Sequence, residues 1–548
     1  MISTFHGLET AKRGMTTQQN ALYITGQNIS NANTLGYTRQ RINFQATEAY
    51  PSASMNRPQI PGQMGTGVTA GSVQRVRESF LDVQFRGENN KLGYWNQRAD
   101  SLAKMEDIMN EPSDTGLSSS LGQFWQSLQD LSVNPENDGA RSVVLQRGQA
   151  VAETFHYLSD SIIGTQKNIG NEISVSIKHI NSILDQISKV NKQISEVEPH
   201  GYLPNDLYDE RDRLVDELSS YVNIKVETTP SGGKPSSIAE GIYNIKMINP
   251  NGQEIYLVQG SNYQSFGIKG GFDSDGDGTL DQPPTDGVIE ALLIGGTEVK
   301  FSKDGQVGLA QGKLRGLIES YGYKDTVIEN GIPKDVIKGI YPDMLDQLDK
   351  LAYTFGTVFN KIHNEGYDLN GNKGEDFFKF DGITDYKGAA GAIKLNDAIT
   401  NDMIAASTAV NADGKVESGN GTNAINLAKI QGFDLSGSIT LEGFDNQKTI
   451  DLSSLNLPFK SGTISTNYQG IIGKLGVEAQ QANRLTANSA TLAQSVDDKR
   501  QSVSSVSLDE EMINLIKFQQ AYNASARNIT IVDEMLDKII NGMGLGGR

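Results

Sequence analysis

The stretch LDEEMINLIKFQQAYNASARNITIVDEMLDKIINGM, residues 508–543, decides how this chain is read. Leu508, Met512, Leu515, Tyr522, Ala526, Ile529, Leu536, Ile540 and Met543 fall on one heptad seam, interrupted by Gln519 and Asp533. A period of 3.5 residues puts these side chains in a stripe on one side of a helix, and such a stripe must face another helix. A second stripe lies at the other end of the chain, where Leu8, Met15, Leu22 and Ile29 recur every seven residues. The small or polar Ala11, Gln18, Thr25 and Ala32 each follow three positions later. Stripes at both ends predict that the ends meet and that further copies share the seam. That design fits a filament subunit better than an enzyme.

Between the ends the texture changes twice. Residues 5–33 read as a helix, and 34–75, rich in Gly, Pro, Thr and Gln, as an extended excursion. No proline occurs between Pro135 and Pro199, and Ile169, Ile173, Ile177, Ile180, Leu184, Ile187 and Ile194 keep helical spacing. This permits one long helix or two in series. A further helix is expected over 205–220. Val222, Ile224 and Val226 then alternate, and Ile242–Ile248 and Glu254–Val258 flank the hairpin signal Asn249-Pro250-Asn251-Gly252. Val299–Phe301 and Gln306–Leu309 flank Asp304-Gly305 in the same way. Helix returns over 341–364, strands are expected at 439–441 and 449–452, and helix again over 468–541 with a break near Ser502–Ser507.

The fold class is therefore mainly α with a β insert, in a nested multidomain chain. Residues 1–75 with 500–548 form a terminal helical coiled-coil domain. Residues 76–221 with 341–499 form a helical rod domain, with 365–467 mixed. Residues 222–340 form a mostly β outer insert, whose strands are expected to pack among themselves and not on the helices.

The net charge of the 548-residue chain is −18. Residues 1–91 hold nine Lys/Arg and five Asp/Glu, so the remainder carries −22. An acidic body argues against nucleic acid, since phosphate binding needs basic clusters. There is no cysteine, which removes disulfides and thiolate metal sites and leans towards an exported protein. No apolar stretch approaches the ~20 residues of a membrane span. The N-terminus, MISTFHGLETAKRG, lacks the charged start and apolar core of a cleaved secretory signal. HExxH, GxSxG and Walker A motifs are absent, and no histidine pair has metal-ligand spacing, so no enzyme activity is expected. One loop carries metal chemistry: Asp273, Asp275, Asp277 and Asp281 match positions 1, 3, 5 and 9 of a calcium loop, with Gly278 at position 6 for the bend. Position 12 is Pro284, which cannot supply the bidentate carboxylate, so the expected cofactor is none, or calcium held weakly. Asp368-Leu369-Asn370-Gly371-Asn372 is a poorer match and reads as a structural turn.

Two motifs are more specific. LETAKRGM at 8–15 and NISNANTLGYTRQ at 28–40 resemble the N-terminal motif of bacterial flagellar rod, hook and hook-associated axial proteins. Asn28, Asn31, Asn33, Gly36 and Tyr37 carry the resemblance; Leu35 departs from it, since many relatives have Pro there. Asn and Gly at these positions suit a helix exit and a tight turn through positive φ, with Tyr37 folding back on the helix. FNKIHNEGYDLNG at 359–371 and VSLDEEMINLIKFQQAYNASAR at 506–527 resemble the hook-associated protein 1 family within that superfamily. In the second run Ser507 is a plausible N-cap and Glu510 its capping-box partner. The resemblance spans about 1–220 and 340–548 and excludes the insert.

The resemblance implies a structural subunit of the hook–filament junction, extracellular on the flagellum, exported by the type III route without a cleaved signal. It implies hook protein and a second hook-associated junction protein as neighbours, an export chaperone on the C-terminal region, and a homo-oligomeric ring; neither nucleic acid nor membrane is a partner. Two other readings stay open on the sequence: a secreted calcium-binding adhesin or enzyme built on 222–340, and a hook or distal-rod protein of the same superfamily.

Overall fold

The computed structural model describes residues 5–58, 62–250, 252–270, 288–303, 306–329, 332–444 and 448–542. Its first helix, α1 (Phe5–Ser30), leads into β1 (Gln40–Ala46) and β2 (Val68–Arg75), an antiparallel pair that folds back along α1. Three contacts fasten that arm: Thr17 Oγ1 donates to Val68 O, Arg13 Nη1 donates to Thr66 O, and the His6 ring meets Gly65 O.

Four helices follow: α2 (Ser79–Met109), α3 (Leu117–Val133), α4 (Asp138–Val197) and α5 (Asn205–Tyr221). The proline-free stretch is one helix of 60 residues, about 90 Å at 1.5 Å per residue. Asn137 caps it by accepting from Ala140 N, and Asp138 in the first turn suits the helix dipole. Its isoleucine stripe from Ile169 to Ile194 is buried throughout. It ends where Pro199 enters a tighter turn closed by Gly201 at φ 84°.

The β region carries a four-stranded antiparallel sheet of β3 (Ile224–Thr229), β4 (Ile242–Ile248), β5 (Glu254–Gln259) and β6 (Asn262–Tyr263). A three-stranded sheet of β7 (Phe266–Lys269), β8 (Ala291–Ile294) and β9 (Thr297–Val299) lies next in the chain. The short pair β10 (Ser302–Lys303) and β11 (Gln306–Val307) follows. The first expected hairpin forms, with Ile248 paired to Glu254; the second forms with its first strand shifted to Ser302–Lys303, while Val299 pairs with Leu292.

The expectation that this region packs only within itself is overturned. Two asparagines of α4 stitch the sheets to the long helix. Asn181 donates to Phe266 O (2.9 Å) and accepts from Phe266 N (2.7 Å), and Asn191 donates to Tyr243 O (2.8 Å) and Gly260 O (2.9 Å). A helix within the stretch, α6 (Lys313–Tyr321), buries Leu314, Leu317 and Ile318 in the same core as α2 and α4. Its close fit needs glycine: a side chain at Gly93 of α2 or at Gly312, where φ is 145°, would collide with the carbonyl of Ser220 or Tyr221. Residues 222–340 therefore cannot be excised as a unit without opening the helical core. Only nine residues long, α6 lies between alternating segments, and its apolar period is too short to stand out.

The hairpin β12 (Tyr323–Glu329) and β13 (Ile332–Lys338) leads to α7 (Ile340–His363). The mixed segment contains β14 (Phe378–Phe380), α8 (Ala389–Ala392), β15 (Ile393–Leu395), α9 (Thr422–Ala428), β16 (Ser438–Thr440) and β17 (Thr449–Asp451). Phe124, Trp125, Phe155, Phe355, Phe359, Phe377 and Phe378 form its aromatic core, with ring centroids 4.9–6.2 Å apart.

Two long helices close the chain, α10 (Ile464–Ser504) and α11 (Leu508–Gly542). Thr463 and Thr466 form a capping box at the start of α10. Helix α10 runs antiparallel along α2, tied by Tyr468 to Glu111, Glu478 to Arg98 and Arg500 to Asp82.

Candidate assembly surface

Helix α11 runs antiparallel to α1. Gly7 faces Val532, Gly14 faces Ser525, and Asn28 reaches Glu511. The seam on α1 is not the expected one. Leu8, Met15, Leu22 and Ile29 are only half-buried, while Ala11, Thr17, Ala21, Thr25 and Asn28 are buried. Gly7, Ala11, Gly14, Gln18, Ala21, Thr25 and Asn28 recur at alternating spacings of four and three, one register step from the predicted stripe. Small residues let the two backbones approach closely, so the small stripe takes the contact and the large one flanks it. A scan for apolar residues passes over such a seam.

On α11 the predicted seam divides. Leu515, Tyr522, Ala526, Ile529 and Leu536 are half-buried, in a stripe shared with Phe518, Ser525 and Val532, and Phe518 packs edge-on against Phe44 of β1 at 5.8 Å. Leu508, Met512 and Ile540 instead point outward, 49%, 51% and 71% exposed. Ile513, Ile516, Ile531 and Met535 are also exposed, at 50–65%, and Ile539, one heptad after Val532 on the α1-facing side, is 43% exposed. Met543 lies outside the described residues.

The motif after α1 is a polar joint. The Asn28 side chain accepts from Gln40 N (3.0 Å) and the Tyr37 hydroxyl (2.9 Å), and donates to Gln40 O (2.8 Å) and Glu511 Oε2 (3.2 Å). Tyr37 does fold back on the helix. Asn31 donates to Gln27 O and accepts from Thr34 Oγ1. The expectation of positive φ holds for Gly36 alone, at 82°; Asn28 and Asn31 serve through their side chains, and Asn33 is exposed. Arg39 binds Glu511 (2.8 Å) and Glu510 (2.6 Å), and its N–H donates to Ser504 O. The Ser507–Glu510 capping box is therefore incomplete: Ser507 Oγ accepts from Glu510 N at 3.5 Å, but the Glu510 carboxylate goes to Arg39.

Next to this joint lies an ionic network that the linear sequence did not announce. Asp212 of α5 is buried and meets Arg75 (3.0 Å), Arg77 (3.3 Å), Arg86 (3.2 Å) and the Tyr243 hydroxyl (3.0 Å). Burial pushes the Asp212 carboxyl up, but the guanidiniums of Arg77, Arg75 and Arg86 outweigh it and hold it well below the usual range. Asp209 accepts from Thr38 N and Arg75, and burial there prevails and raises its carboxyl. Thr38 and Arg39 thus send consecutive bonds to the helical body and to α11. Each of the three arginines lies more than 100 residues before Asp212 in sequence, so only the fold brings them together.

The GYDLNG segment is a structural turn. Asp368 Oδ1 accepts from Asn370 N and Asn372 N at 2.8 Å each and its Oδ2 from Asn372 Nδ2 at 3.2 Å, which occupies the oxygens a cation would need. His363 before it is wholly buried: Nδ1 donates to Glu375 O (2.6 Å) and Nε2 accepts from Ala405 N (2.9 Å). Burial lowers its pKa from 6.5 to about 4, so the ring is neutral. A base with a depressed folded pKa favours folding above pH 6.5, and that contribution is lost as pH falls from 6.5 towards 4. Its full size is about 3 kcal/mol. The urea midpoint is expected to fall across that window by the slope of one proton, and His363→Leu is expected to flatten it. An unchanged slope in the variant would assign the acid sensitivity elsewhere.

The acidic loop with Asp273, Asp275, Asp277 and Asp281 lies outside the described residues. Among the described residues no cluster of three or more His, Asp or Glu is arranged to hold a metal, and no helix is long and apolar enough to cross a membrane.

Comparison with known proteins gives a consistent result. Residues 102–378 match the family described as "Flagellar hook-associated protein FlgK helical domain". Residues 8–38 match "Flagella basal body rod protein" and 499–542 match "Flagellar basal body rod FlgEFG protein C-terminal". The chain is 44% identical over 551 residues to flagellar hook-associated protein 1 of Bacillus subtilis, covering 100% of both chains. It is 26% identical to the Salmonella typhimurium protein of the same name, covering 97% of this chain and 98% of the relative. The solved flagellar hook junction protein FlgK from Burkholderia pseudomallei shares the fold, with a TM-score of 0.51 over 78% of this chain and 100% of that one, at 14% identity. With full-length identity to one relative and the helical domain matched across the body, the chain belongs to the flagellar hook-associated protein 1 family.

Proposed function

We propose that this chain, a structural subunit of the flagellar hook–filament junction, assembles through the outward face of its terminal helix pair. The observation that carries the mechanism is two exposed apolar groups on α11, Met512, Ile513 and Ile516 near its start and Ile531, Met535, Ile539 and Ile540 near its end, left uncovered by α1. Exposed apolar groups on a narrow helix pair call for neighbours. In a ring, further copies supply them. On this reading Leu8, Met15, Leu22 and Ile29, half-buried beside the small-residue seam, complete the surface offered to the next copy. The work done is assembly, with no enzymatic turnover.

The expected neighbours are hook protein on one side and the second hook-associated protein on the other. The C-terminal region, including α11, is the expected site of an export chaperone that covers these apolar groups before assembly. The assembled chain is expected to be extracellular, on the flagellum. Electron microscopy of a strain lacking the chain tests the role: intact hooks without filaments are expected, and loss of the hooks themselves would reassign it to the rod or hook. Calcium at Asp273–Asp281 is proposed on sequence alone. Calorimetry of the full chain is expected to give a dissociation constant of ~10⁻⁴–10⁻³ M that Asp275→Ala abolishes. Absence of heat, or heat unchanged in the variant, removes the site.

A further inference from the structure

A seam of small residues is permissive about register. Gly7 and Gly14 offer no knob that only one hole on α11 accepts, so sliding α11 by one heptad sacrifices little packing. Yet the pairing has one polar fixed point. Glu511 is 2% exposed, and among the described side chains of α11 it alone is buried. Its two oxygens are divided between Arg39 Nε and Asn28 Nδ2. Asn28 is itself held by three bonds to the segment that follows α1.

We propose that Asn28, Arg39 and Glu511 form the register key of the terminal helix pair. A slip of one heptad would bring Phe518 to Asn28 and strip both Asn28 and Arg39 of their carboxylate. The cost is buried polar groups without partners, which exceeds what a smooth seam loses by sliding. A single polar contact on an otherwise apolar helix interface sets alignment in this way at some expense of stability. Glu511 acts as a positioning residue: it fixes which outward residues of α11 lie beside which residues of α1, and so the pattern shown to any neighbour.

The chain has no cysteine, so paired cysteines report register cleanly. A Cβ built at Gly14 lies 4.0 Å from the Ser525 Cβ, within disulfide reach. In the full chain, Gly14→Cys with Ser525→Cys is expected to cross-link under mild oxidation, and Gly14→Cys with Val532→Cys reports the slipped register. Adding Glu511→Ala or Arg39→Ala is expected to cut the native cross-linking rate about tenfold and raise the slipped product. Asp509→Ala, an exposed acid in the same helical turn, is expected to change neither. Glu511→Gln keeps the shape and one acceptor and is expected to fall between, which guards against a variant whose ends simply unfold. The proposal is overturned if native cross-linking is unchanged in Glu511→Ala, if Asp509→Ala has the same effect, or if the slipped product stays absent in both Glu511 variants.

Discussion

Replacing Ile516 and Ile531 together by Asp is expected to abolish incorporation of the chain at hook tips while leaving its own melting transition nearly in place. The two side chains are 50% and 53% exposed on the outward side of α11. Surface substitutions of this kind usually change stability by less than ~0.5 kcal/mol. In the assembly proposed above the same positions are covered. Each isoleucine then contributes about 1.5–3 kcal/mol by burial, and a buried carboxylate without a partner costs more. The combined penalty, above ~3 kcal/mol, lowers docking affinity by more than ~100-fold. Cells carrying the variant are expected to show bare hooks and to release filament subunits into the medium. The contrasting pair, Leu515→Asp with Ile529→Asp, lies on the half-buried side facing α1 and is expected to loosen the terminal pair itself. If the outward pair assembles normally, these exposed groups of α11 are not the assembly surface.

Removing the Asp212 carboxylate is expected to be the most damaging single change to the folded chain. Asp212→Ala leaves Arg75, Arg77 and Arg86 clustered in the interior without their shared counter-charge. Breaking one partner out of a buried ionic group costs about 3–5 kcal/mol, even where the intact group adds little net stability. The network joins the β1–β2 arm, α2 and α5, and Tyr243 brings in the first β-sheet. Denaturant unfolding checks the size of the loss; a change below about 1 kcal/mol would show that water or Asp216 compensates. The depressed Asp212 pKa adds a sign. Its contribution is complete above the unfolded value of 3.8 and is lost as pH falls below it. That window lies beneath the one set by His363, so the two acid losses separate.

Much of this architecture is legible because its elements repeat one physical pattern for many residues. The absence of proline and the isoleucine stripe announce α4, and alternation around Asn-Pro-Asn-Gly announces the β4–β5 hairpin. What escapes is decided by side chains brought from far apart. Helix α6 is too short to show its period, and its place among α2, α4 and α7 depends on glycines at 93 and 312 whose neighbours no linear reading supplies. The α1 seam was in the sequence but written in glycine, alanine, threonine and asparagine, which a search for apolar residues ranks low. The Arg75–Asp212 network was invisible for a different reason: charged residues read as surface until a fold buries them together. The half of α11 that faces α1 could be separated from the half that faces outward only once α1 was placed against it.

The bond from Arg39 N to Ser504 O has a kinetic meaning. Asn28 and Glu511 are 483 residues apart in sequence, and closing a free loop of that length is slow and entropically costly. Once the helical body has folded, however, Arg39 and Ser504 already touch, and the loop left to close is about 18 residues long. The logarithmic dependence of closure entropy on length makes that difference about 3 kcal/mol. Separate α1 and α11 peptides lack this benefit, and so does a chain whose body is unfolded. The folded body is thus an intramolecular tether that raises the effective concentration of one end at the other. The terminal pair, although it holds both ends of the chain, is expected to close after the body has folded.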